Sequence, residues 1–497
     1  MPQILAIDQG TTNSKAVLVD VGGVVRAIGS APVGVAHPWP GWVEQDAELL
    51  WASVVTAIER CLSSVDAAGL DLAAVALSTQ RESVVAWDRR DGRPLGPVIG
   101  WQDVRTAQWC RERTGPIDDE LVRNRTGLRI DAMFSAPKIA WLLRECAADV
   151  RPADVAVGTV DAWLIWRLTA GERHVTEAGN ASRTLLYDIM DLSWSPALLE
   201  LFDVPAAVLP QVLRSDGDFG VCRSVPGIRD GVPITAVLAD SHAAMFGHGC
   251  TEVGSAKATY GTGTSVMTPT ASFVAGSSPV PSTLAWLTEA PTYAREGNIL
   301  SSGATLAWAA RLLGTSVTDL LTLAATVDDA GGVTLVPAFT GLGAPHWDRE
   351  VRGVLTQLDP DSDPARIARA AVDAVAHQVC DIVEIIDEDS ATPLASIRAD
   401  GGMTASALVM QTQADLLGRP VEVADLPEVS ALGVADLARR RIGAVPTVRS
   451  TGRVFHPTID DVARAARRDL WREQVRWLRS APRPRTPRSR RRPRPDG

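Results

Sequence analysis

Two short segments of the chain combine strands with a turn of glycine and threonine, which is a pattern that can hold a phosphate. In residues 4–20, ILAIDQGTTNSKAVLVD, apolar residues with period two flank such a turn, and Asp8 lies where the first strand ends. Backbone N–H groups and the hydroxyls of Thr11 and Thr12 would donate to phosphate oxygens, and the acid would face a hydrated metal ion. We interpret Gly10 as the pivot, because glycine adopts backbone angles that other residues avoid. A surface hairpin with polar turn residues is the alternative interpretation.

The same pattern occurs again in the second half of the chain. Residues 254–268, GSAKATYGTGTSVMT, read as a strand, a Gly-Thr-Gly-Thr turn and another strand. Two such hairpins predict a duplicated architecture with a cleft between the halves. Strand and helix patterns alternate along the chain, which indicates an α/β fold. The clearest of these are helical spacing at 51–65, 134–150 and 365–388 and a strand at 231–240.

Length, charge and cysteine use exclude several classes of protein. A chain of 497 residues predicts two domains. The net charge of −10 is unlike that of a nucleic-acid-binding protein. No apolar run approaches the roughly 18 residues of a membrane helix, and no signal peptide precedes the first strand. Six scattered cysteines without a CxxC pair fit a reducing cytoplasm. We therefore expect a cytoplasmic protein that binds neither membranes nor specific nucleic acid.

Several motifs in chain order closely resemble the glycerol kinase branch of the FGGY carbohydrate kinases. They are DQGTT, STQRES, GTVDAWLIW, GNASRT, YGTGT and VPAFTGLGAPHWD. The resemblance implies two ribonuclease-H-like domains of the actin and hexokinase type, flanking a catalytic cleft that holds ATP, Mg²⁺ and a small polyol. It also implies a dimer or tetramer. We assign residues 1–245 to the N-terminal domain and 246–478 to the C-terminal domain, and predict that the Arg/Pro-rich tail, 479–497, is disordered.

The resemblance also implies a role for each residue of these motifs. It makes Asp240, in LADSHAAMFG, the catalytic base and Asp8 the acid near magnesium. The residues expected around the substrate are Arg81, Glu82, Trp101, Met133, Asp240 and Ser241. The residues expected to bind ATP are Thr11, Thr12, Asn13, Lys15, Thr262, Gly303, Gly402 and Ser406.

These residue types suit phosphoryl transfer to an alcohol. A hydroxyl is a poor nucleophile at neutral pH, and a carboxylate such as Asp240 can accept its proton as the oxygen attacks the γ-phosphate. Arg81 supplies donors and Glu82 supplies acceptors, which matches vicinal hydroxyls that both donate and accept. Each residue also has a structural interpretation. Asp240 could cap a helix, Arg81 and Glu82 could form a solvated turn pair, and Trp101 could fill the core.

Some positions depart from the glycerol kinase pattern. Met133 stands where those kinases carry a tyrosine that contacts glycerol, and Ser241 replaces a glutamine with the same role. Lys15 replaces an arginine, Ser406 an asparagine and Ala307 a glutamine near the nucleotide. Losing polar side chains around a three-carbon ligand changes which hydroxyls the site recognises. We therefore expect a roomier pocket and a polyol or related sugar of four or five carbons.

The sequence thus predicts an ATP-dependent kinase that phosphorylates a terminal hydroxyl of glycerol or a related small polyol. One alternative is a kinase for pentuloses or other sugars from the same superfamily. Another is an actin-like nucleotide-binding regulator without catalysis. The presence of Asp8, both threonine hairpins and Asp240 argues against the regulator, because a binding module needs no general base.

Overall fold

Two large β-sheets, each containing one of the predicted hairpins, form the centre of the molecule. The computed structural model describes residues 1–66, 69–113, 115–273, 276, 278–425, 428–444 and 451–481. The predicted disorder of the C-terminal tail concerns residues that lie, from 482 onwards, outside the described ranges. Strands and helices are numbered in chain order below.

The first sheet is built around the N-terminal hairpin. Its strands are β1 Gln3–Gln9, β2 Asn13–Asp20, β3 Val25–Pro32, β5 Leu72–Thr79 and β13 Ile234–Ala239. They are ordered β13-β5-β1-β2-β3. Strand β2 runs antiparallel to both β1 and β3, whereas β5 runs parallel to β1 and β13.

The second sheet repeats this topology. Its strands are β14 Lys257–Tyr260, β15 Thr264–Thr270, β16 Ser282–Leu287, β17 Pro291–Ile299, β20 Ile397–Asp400, β21 Val421–Ala424 and β22 Thr451–Phe455. The order is β16-β17-β15-β14-β20-β21-β22. From β17 to β21 it matches the first sheet, with two antiparallel pairings followed by two parallel ones. The duplicated architecture predicted from the two hairpins is present.

Smaller sheets occur in both halves. A four-stranded sheet in the order β4-β7-β6-β8 contains β4 Glu44–Gln45, β6 Val84–Asp88, β7 Val98–Ile99 and β8 Val155–Thr159. Two-stranded pairs are formed by β9 Val175–Glu177 with β12 Gln211–Leu213, β10 Tyr187–Asp188 with β11 Ser193–Trp194, and β18 Thr334–Val336 with β19 Val354–Thr356. The hydrophobic cluster on the four-stranded sheet includes Met133 and packs against Trp101.

Helices cover the faces of the sheets. In the N-terminal half they are α1 Ala47–Leu62, α2 Ala107–Arg113, α3 Pro116–Thr126, α4 Ser135–Glu145, α5 Val160–Leu168, α6 Ala178–Ser182, α7 Pro196–Leu201 and α8 Asp240–Gly247. In the C-terminal half they are α9 Gly303–Leu312, α10 Val317–Ala324, α11 Pro364–Glu388, α12 Ala407–Leu417, α13 Val429–Arg441 and α14 Asp461–Ser480. Within the described ranges, no helix has both the length and the apolar character needed to cross a membrane.

Helix α13 belongs to the C-terminal half of the sequence but completes the core of the first sheet. Leu432 lies in one hydrophobic cluster with Ile4 of β1 and Met267 of β15. Gly433 passes so close to the carbonyl of Ala243 in α8 that any larger side chain would overlap with it. The two halves therefore share a core through α8 and α13, and this contact brings the N-terminus of α13 near the first hairpin.

Candidate active site

The first phosphate-type turn joins β1 to β2. The backbone N–H of Gly10 donates to the carbonyl of Asn13 at 3.0 Å, and the carbonyl of Thr12 accepts from Val33 at 2.8 Å. Thr12 and Asn13 thus lie at a fixed tip. The interpretation of Gly10 as a pivot was wrong. Its φ is not left-handed, and a methyl group there would meet only the Asn13 carbonyl, at 3.4 Å.

Trp101 connects this turn to the substrate side of the site. Its indole N–H donates to the Thr11 hydroxyl over 3.0 Å, and its backbone N–H donates to the Ser83 hydroxyl over 3.1 Å. Trp101 packs against the apolar cluster, as its core interpretation expects, and its indole orients a residue of the turn. Its place beside the substrate stays a prediction.

Asp8 lies at the end of β1, beside the turn. The Ser78 hydroxyl donates to its Oδ1 at 2.7 Å. Desolvation raises the pKa of Asp8 to about 6, and the nearby negative charges of Asp240 and Glu428 add to this effect. Asp8 can therefore offer a hard oxygen ligand, and a nearby cation would stabilise its charged form.

The donor set fits magnesium bound mainly through the nucleotide. Mg²⁺ keeps several waters and usually takes one or two carboxylates together with substrate phosphates. Among the residues that the structure describes, no three His, Cys, Asp or Glu side chains gather into a closed metal cage. Asp8 beside a phosphate-type turn matches the first arrangement.

Lys15 follows the turn on β2 and forms an ion pair across the molecule. Its Nζ donates to both carboxylate oxygens of Glu428, at 2.8 and 2.7 Å. Glu428 directly precedes α13, and its backbone is left-handed, with φ of 69°. The lysine predicted to bind phosphate is thus held by a carboxylate of the C-terminal half.

The second hairpin and the start of α9 form one unit. The backbone N–H groups of Ser302 and Ala304 donate to the Thr262 carbonyl at 3.0 and 3.1 Å, and Gly303 donates to Gly261 at 3.0 Å. A methyl group at Gly303 would lie 2.7 Å from the Gly261 carbonyl oxygen, so only glycine fits. Thr262 and Gly303, which the sequence placed together at the nucleotide, are neighbours.

A third turn lies beside this unit. Gly401 passes against the backbone of Tyr260, and its φ of 95° requires glycine. Gly402 begins a short 3₁₀ turn and faces open space, whereas the Ser406 hydroxyl accepts from the Val409 N–H and caps α12. The turn also lies next to the start of α9. A methyl group at Gly303 would lie 3.6 Å from the Sδ atom of Met403, which belongs to the turn.

Arg81, Glu82 and Asp240 meet at the ends of β5 and β13. Arg81 Nε lies 3.4 Å from Asp240 Oδ1. Arg81 and Glu82 are only 7% and 4% exposed, so they are not a solvated turn pair. Helix α8 begins at Asp240 itself, after Ala239, so the carboxylate is not the N-cap group. It is 37% exposed, and desolvation raises its pKa although Arg81 opposes this.

Two residues that the sequence did not assign complete this cluster. Arg183 Nε donates to Glu82 Oε1 at 2.7 Å. Glu296 of β17 receives two bonds from Arg81, at 2.7 and 2.6 Å, and lies 3.1 Å from Arg183. The four side chains form a closed ring of alternating charge, which we call the Arg–Glu ring. Arg183 stands in the motif GNASRT, and that was the available signal; nothing nearby in the sequence pointed to Glu296.

Met133 and Ser241, the two residues of the expected substrate pocket that depart from the glycerol kinase pattern, lie on different elements. Met133 is 7% exposed, and its backbone N–H donates to Asp131 just before α4. Ser241 is in the first turn of α8, where its backbone N–H donates to Asp240 Oδ1 at 2.6 Å. The structure thus brings Ser241 next to Asp240 and places Met133 in the apolar cluster that packs against Trp101.

Two sheets of the same order, each with a phosphate-type turn, define the class of actin-like and hexokinase-like ATPases. Models of the N-terminal and C-terminal domains of the FGGY family of carbohydrate kinases match residues 3–247 and 256–441. The chain belongs to this family and is an ATP-dependent carbohydrate kinase.

Individual relatives match along most of the chain. A glycerol kinase of Aromatoleum aromaticum is 42% identical over 498 aligned residues, covering 96% of this chain and 99% of the relative. An apulose kinase of Pectobacterium atrosepticum is 42% identical over 449 residues, covering 89% and 90%. The crystal structure of Plasmodium falciparum glycerol kinase with ADP has a TM-score of 0.89 at 28% identity, covering 96% of this chain and 98% of that one. The predicted fold class is confirmed.

Proposed function

We propose that the protein transfers the γ-phosphoryl group of ATP to a terminal hydroxyl of glycerol or a closely related small polyol. The observation that carries the proposal is the placement of Asp240, a partly exposed carboxylate 3.4 Å from Arg81 Nε, with Glu82 adjoining. Glycerol is named first because a glycerol kinase is 42% identical to this chain over nearly the whole length of both proteins.

In this proposal Asp240 is the general base. The acceptor hydroxyl donates a hydrogen bond to its carboxylate, which takes the proton as the oxygen bonds to the γ-phosphorus and the bond to ADP breaks. The Nε edge of the Arg81 guanidinium faces Asp240, where the acceptor hydroxyl would bind. Glu82 gives Oε1 to Arg183 and leaves Oε2 for a neighbouring hydroxyl. Together they orient the terminal hydroxyl toward the base.

The nucleotide is proposed to lie between the two hairpins. Thr11, Thr12, Asn13 and Lys15 would contact phosphates from the first sheet and Thr262 from the second, whereas Gly303, Gly402 and Ser406 would line the nucleoside side. Magnesium, held by Asp8 and the phosphates, would neutralise the charge that develops on the transferred group. Backbone N–H groups of the turns would add fixed positive dipoles.

A ketose kinase is the second candidate. Two observations favour it. Met133 and Ser241 offer fewer polar atoms than the tyrosine and glutamine of the glycerol kinase pattern, and an apulose kinase is as similar in identity as the glycerol kinase is. A pocket that lacks a hydroxyl-binding group loses its discrimination against ligands without that hydroxyl.

ADP release with magnesium-ATP across an acceptor panel tests both candidates. The panel contains glycerol, dihydroxyacetone, erythritol, threitol, the pentitols and the ketopentoses. Turnover of glycerol with the highest kcat/KM supports the first candidate. A ketopentose preferred over glycerol by orders of magnitude supports the second, and no turnover of any acceptor contradicts the proposed function.

Assembly and location stay predictions. We propose a homodimer or homotetramer on the resemblance to the FGGY carbohydrate kinases, and a cytoplasmic location on the six scattered cysteines. Light scattering of the purified protein tests the assembly. A monomer at micromolar concentration would contradict it.

A further inference from the structure

Glu296 is the one carboxylate of the Arg–Glu ring that comes from the second sheet. It lies on β17 and its side chain is 0% exposed. Its oxygens accept from Arg81 and from the Ser265 hydroxyl, the latter at 3.1 Å, and lie 3.1 Å from Arg183. Both arginines belong to the N-terminal half, so Glu296 connects the proposed acceptor site to the other sheet.

The geometry of the contact fixes the direction of Arg81. Glu296 engages the two terminal nitrogens of Arg81, at 2.7 and 2.6 Å. A guanidinium is planar, and a bidentate carboxylate therefore sets the orientation of its remaining edge. That edge is Nε, which faces Asp240 at 3.4 Å. Without Glu296 the arginine would be free to turn toward Asp240 or Glu82 with its terminal nitrogens.

The other half of the ring acts on Glu82. Arg183 donates to Glu82 Oε1 at 2.7 Å and lies 3.1 Å from Glu296. Glu82 has a left-handed backbone, with φ of 59°, which this ion pair helps to hold. Both proposed acceptor-binding side chains are thus oriented by Arg183 and Glu296, and neither of these two is exposed enough to touch a ligand.

We infer that Glu296 is a positioning residue, which orients Arg81 for the acceptor and links the acceptor site to the sheet that carries the second hairpin. The inference rests on the proposed function. A purely structural ion pair is the competing explanation, because buried pairs also stabilise folds by avoiding an unpaired charge. The two explanations differ in what a substitution does to acceptor affinity at constant stability.

Glu296→Gln tests the inference with glycerol as acceptor and Asp381→Asn as matched control. Asp381 is a carboxylate of α11 that is 8% exposed and bonded to Arg468 at 2.6 Å. Both changes replace a buried carboxylate by an amide. We expect kcat/KM for glycerol to fall by about 10²-fold in Glu296→Gln, mainly through KM, because misplacing a positioning group costs on this scale. The dissociation constant of a non-hydrolysable ATP analogue should stay within about threefold of wild type, as the nucleotide is proposed to bind elsewhere.

A double-variant cycle identifies the route of the effect. If Glu296 acts through Arg81, the variant with both Glu296→Gln and Arg81→Gln loses no more activity than Arg81→Gln alone. Losses that multiply would overturn the inference, and so would an equal loss of kcat/KM in the Asp381→Asn control.

Glu296→Asp keeps the charge and serves if the glutamine variant does not fold. It shortens the side chain by one methylene, so we expect a folded protein with raised glycerol KM and unchanged affinity for the ATP analogue. Wild-type kcat/KM in this folded variant would overturn the inference. Failure of the wild-type protein to phosphorylate any acceptor would instead refute the proposed function, so the two failures are distinguishable.

Discussion

Two opposing influences act on the Asp240 carboxylate. Arg81, 3.4 Å away, stabilises its charged form, whereas desolvation and the negative charge of Glu82 destabilise it. The net effect raises the pKa of Asp240 above its ordinary value of 3.8. A raised pKa makes a carboxylate a stronger proton acceptor.

The pH dependence of catalysis follows from these influences. We expect kcat/KM to fall on acidification with its midpoint above pH 3.8, because protonated Asp240 cannot accept the hydroxyl proton. Arg81→Gln removes a charge that lowers the pKa of Asp240, so the acidic limb should move to higher pH. Initial rates against pH for both proteins provide the measurement. A limb at the same pH in both would contradict the assignment of the base.

At the scale of elements, the second hairpin and α9 touch at a contact that requires glycine. Gly303→Ala would bring a methyl group to 2.7 Å from the Gly261 carbonyl oxygen and push the helix away from the turn. We expect KM for ATP to rise by about tenfold or more, with little change in KM for the acceptor. Gly34→Ala is the control, since a methyl group there meets nothing within 4 Å. Equal effects on both KM values would contradict this division of the site.

The start of α13 yields a prediction about the first hairpin. Lys15 is held by both oxygens of Glu428, and nucleotide phosphates would compete for the same lysine. Glu428→Gln weakens this competition, so we expect KM for ATP to fall by about two- to fivefold, the scale of a partly exposed ion pair. Lys15→Met should raise it. Steady-state kinetics with varied ATP measures both, and weaker ATP binding in Glu428→Gln would show that Glu428 supports the nucleotide site.

Local patterns predicted elements well and contacts across the molecule poorly. The helix predicted at 365–388 is α11, Pro364–Glu388. Asp363 caps it, and apolar residues recur at helical spacing along its whole length. The helix predicted at 51–65 begins earlier, at Ala47, because Asp46 accepts from the N–H groups of Glu48 and Leu49. Such signals lie within a few residues of the element that they define.

The Arg–Glu ring had no such signal. Arg81 and Glu296 are 215 positions apart, and Lys15 and Glu428 are 413 positions apart. An ion pair leaves no periodicity in the sequence, since any charged residue elsewhere in the chain is an equally good partner. The resemblance supplied residues that are predicted to touch ligands, and the structure supplied the residues that orient them.

At the scale of the whole molecule, three histidines are kept neutral by burial. Desolvation lowers the pKa of His174 to about 3, and those of His242 and His377 lie well below 6.5. The unfolded chain binds protons at these sites below about pH 6.5, whereas the folded chain does not. Through these histidines, acid favours the unfolded state.

Each of these histidines should lower the free energy of unfolding by roughly 1 kcal/mol per pH unit as pH drops from 6.5. Asp8 and Glu177, whose pKa values burial raises to about 6 and about 8, contribute with the opposite sign. His174→Gln removes one of these proton-binding sites and should take its contribution out of the slope between pH 6.5 and about 5, whereas the carboxylates contribute alike in both proteins. Urea unfolding at several pH values measures the slope. An unchanged slope in the variant would show that His174 is not protonated on unfolding.

If Asp240 is the base of a kinase for small polyols, Asp240→Asn should lose phosphoryl transfer and keep the nucleotide site. The asparagine keeps the shape of the side chain and cannot accept the proton. The measurement is ADP formation from magnesium-ATP with the best acceptor of the panel, together with binding of a non-hydrolysable ATP analogue. We expect turnover to fall by at least about 10²-fold while analogue binding is retained. Normal turnover in this variant would mean that Asp240 is not the base.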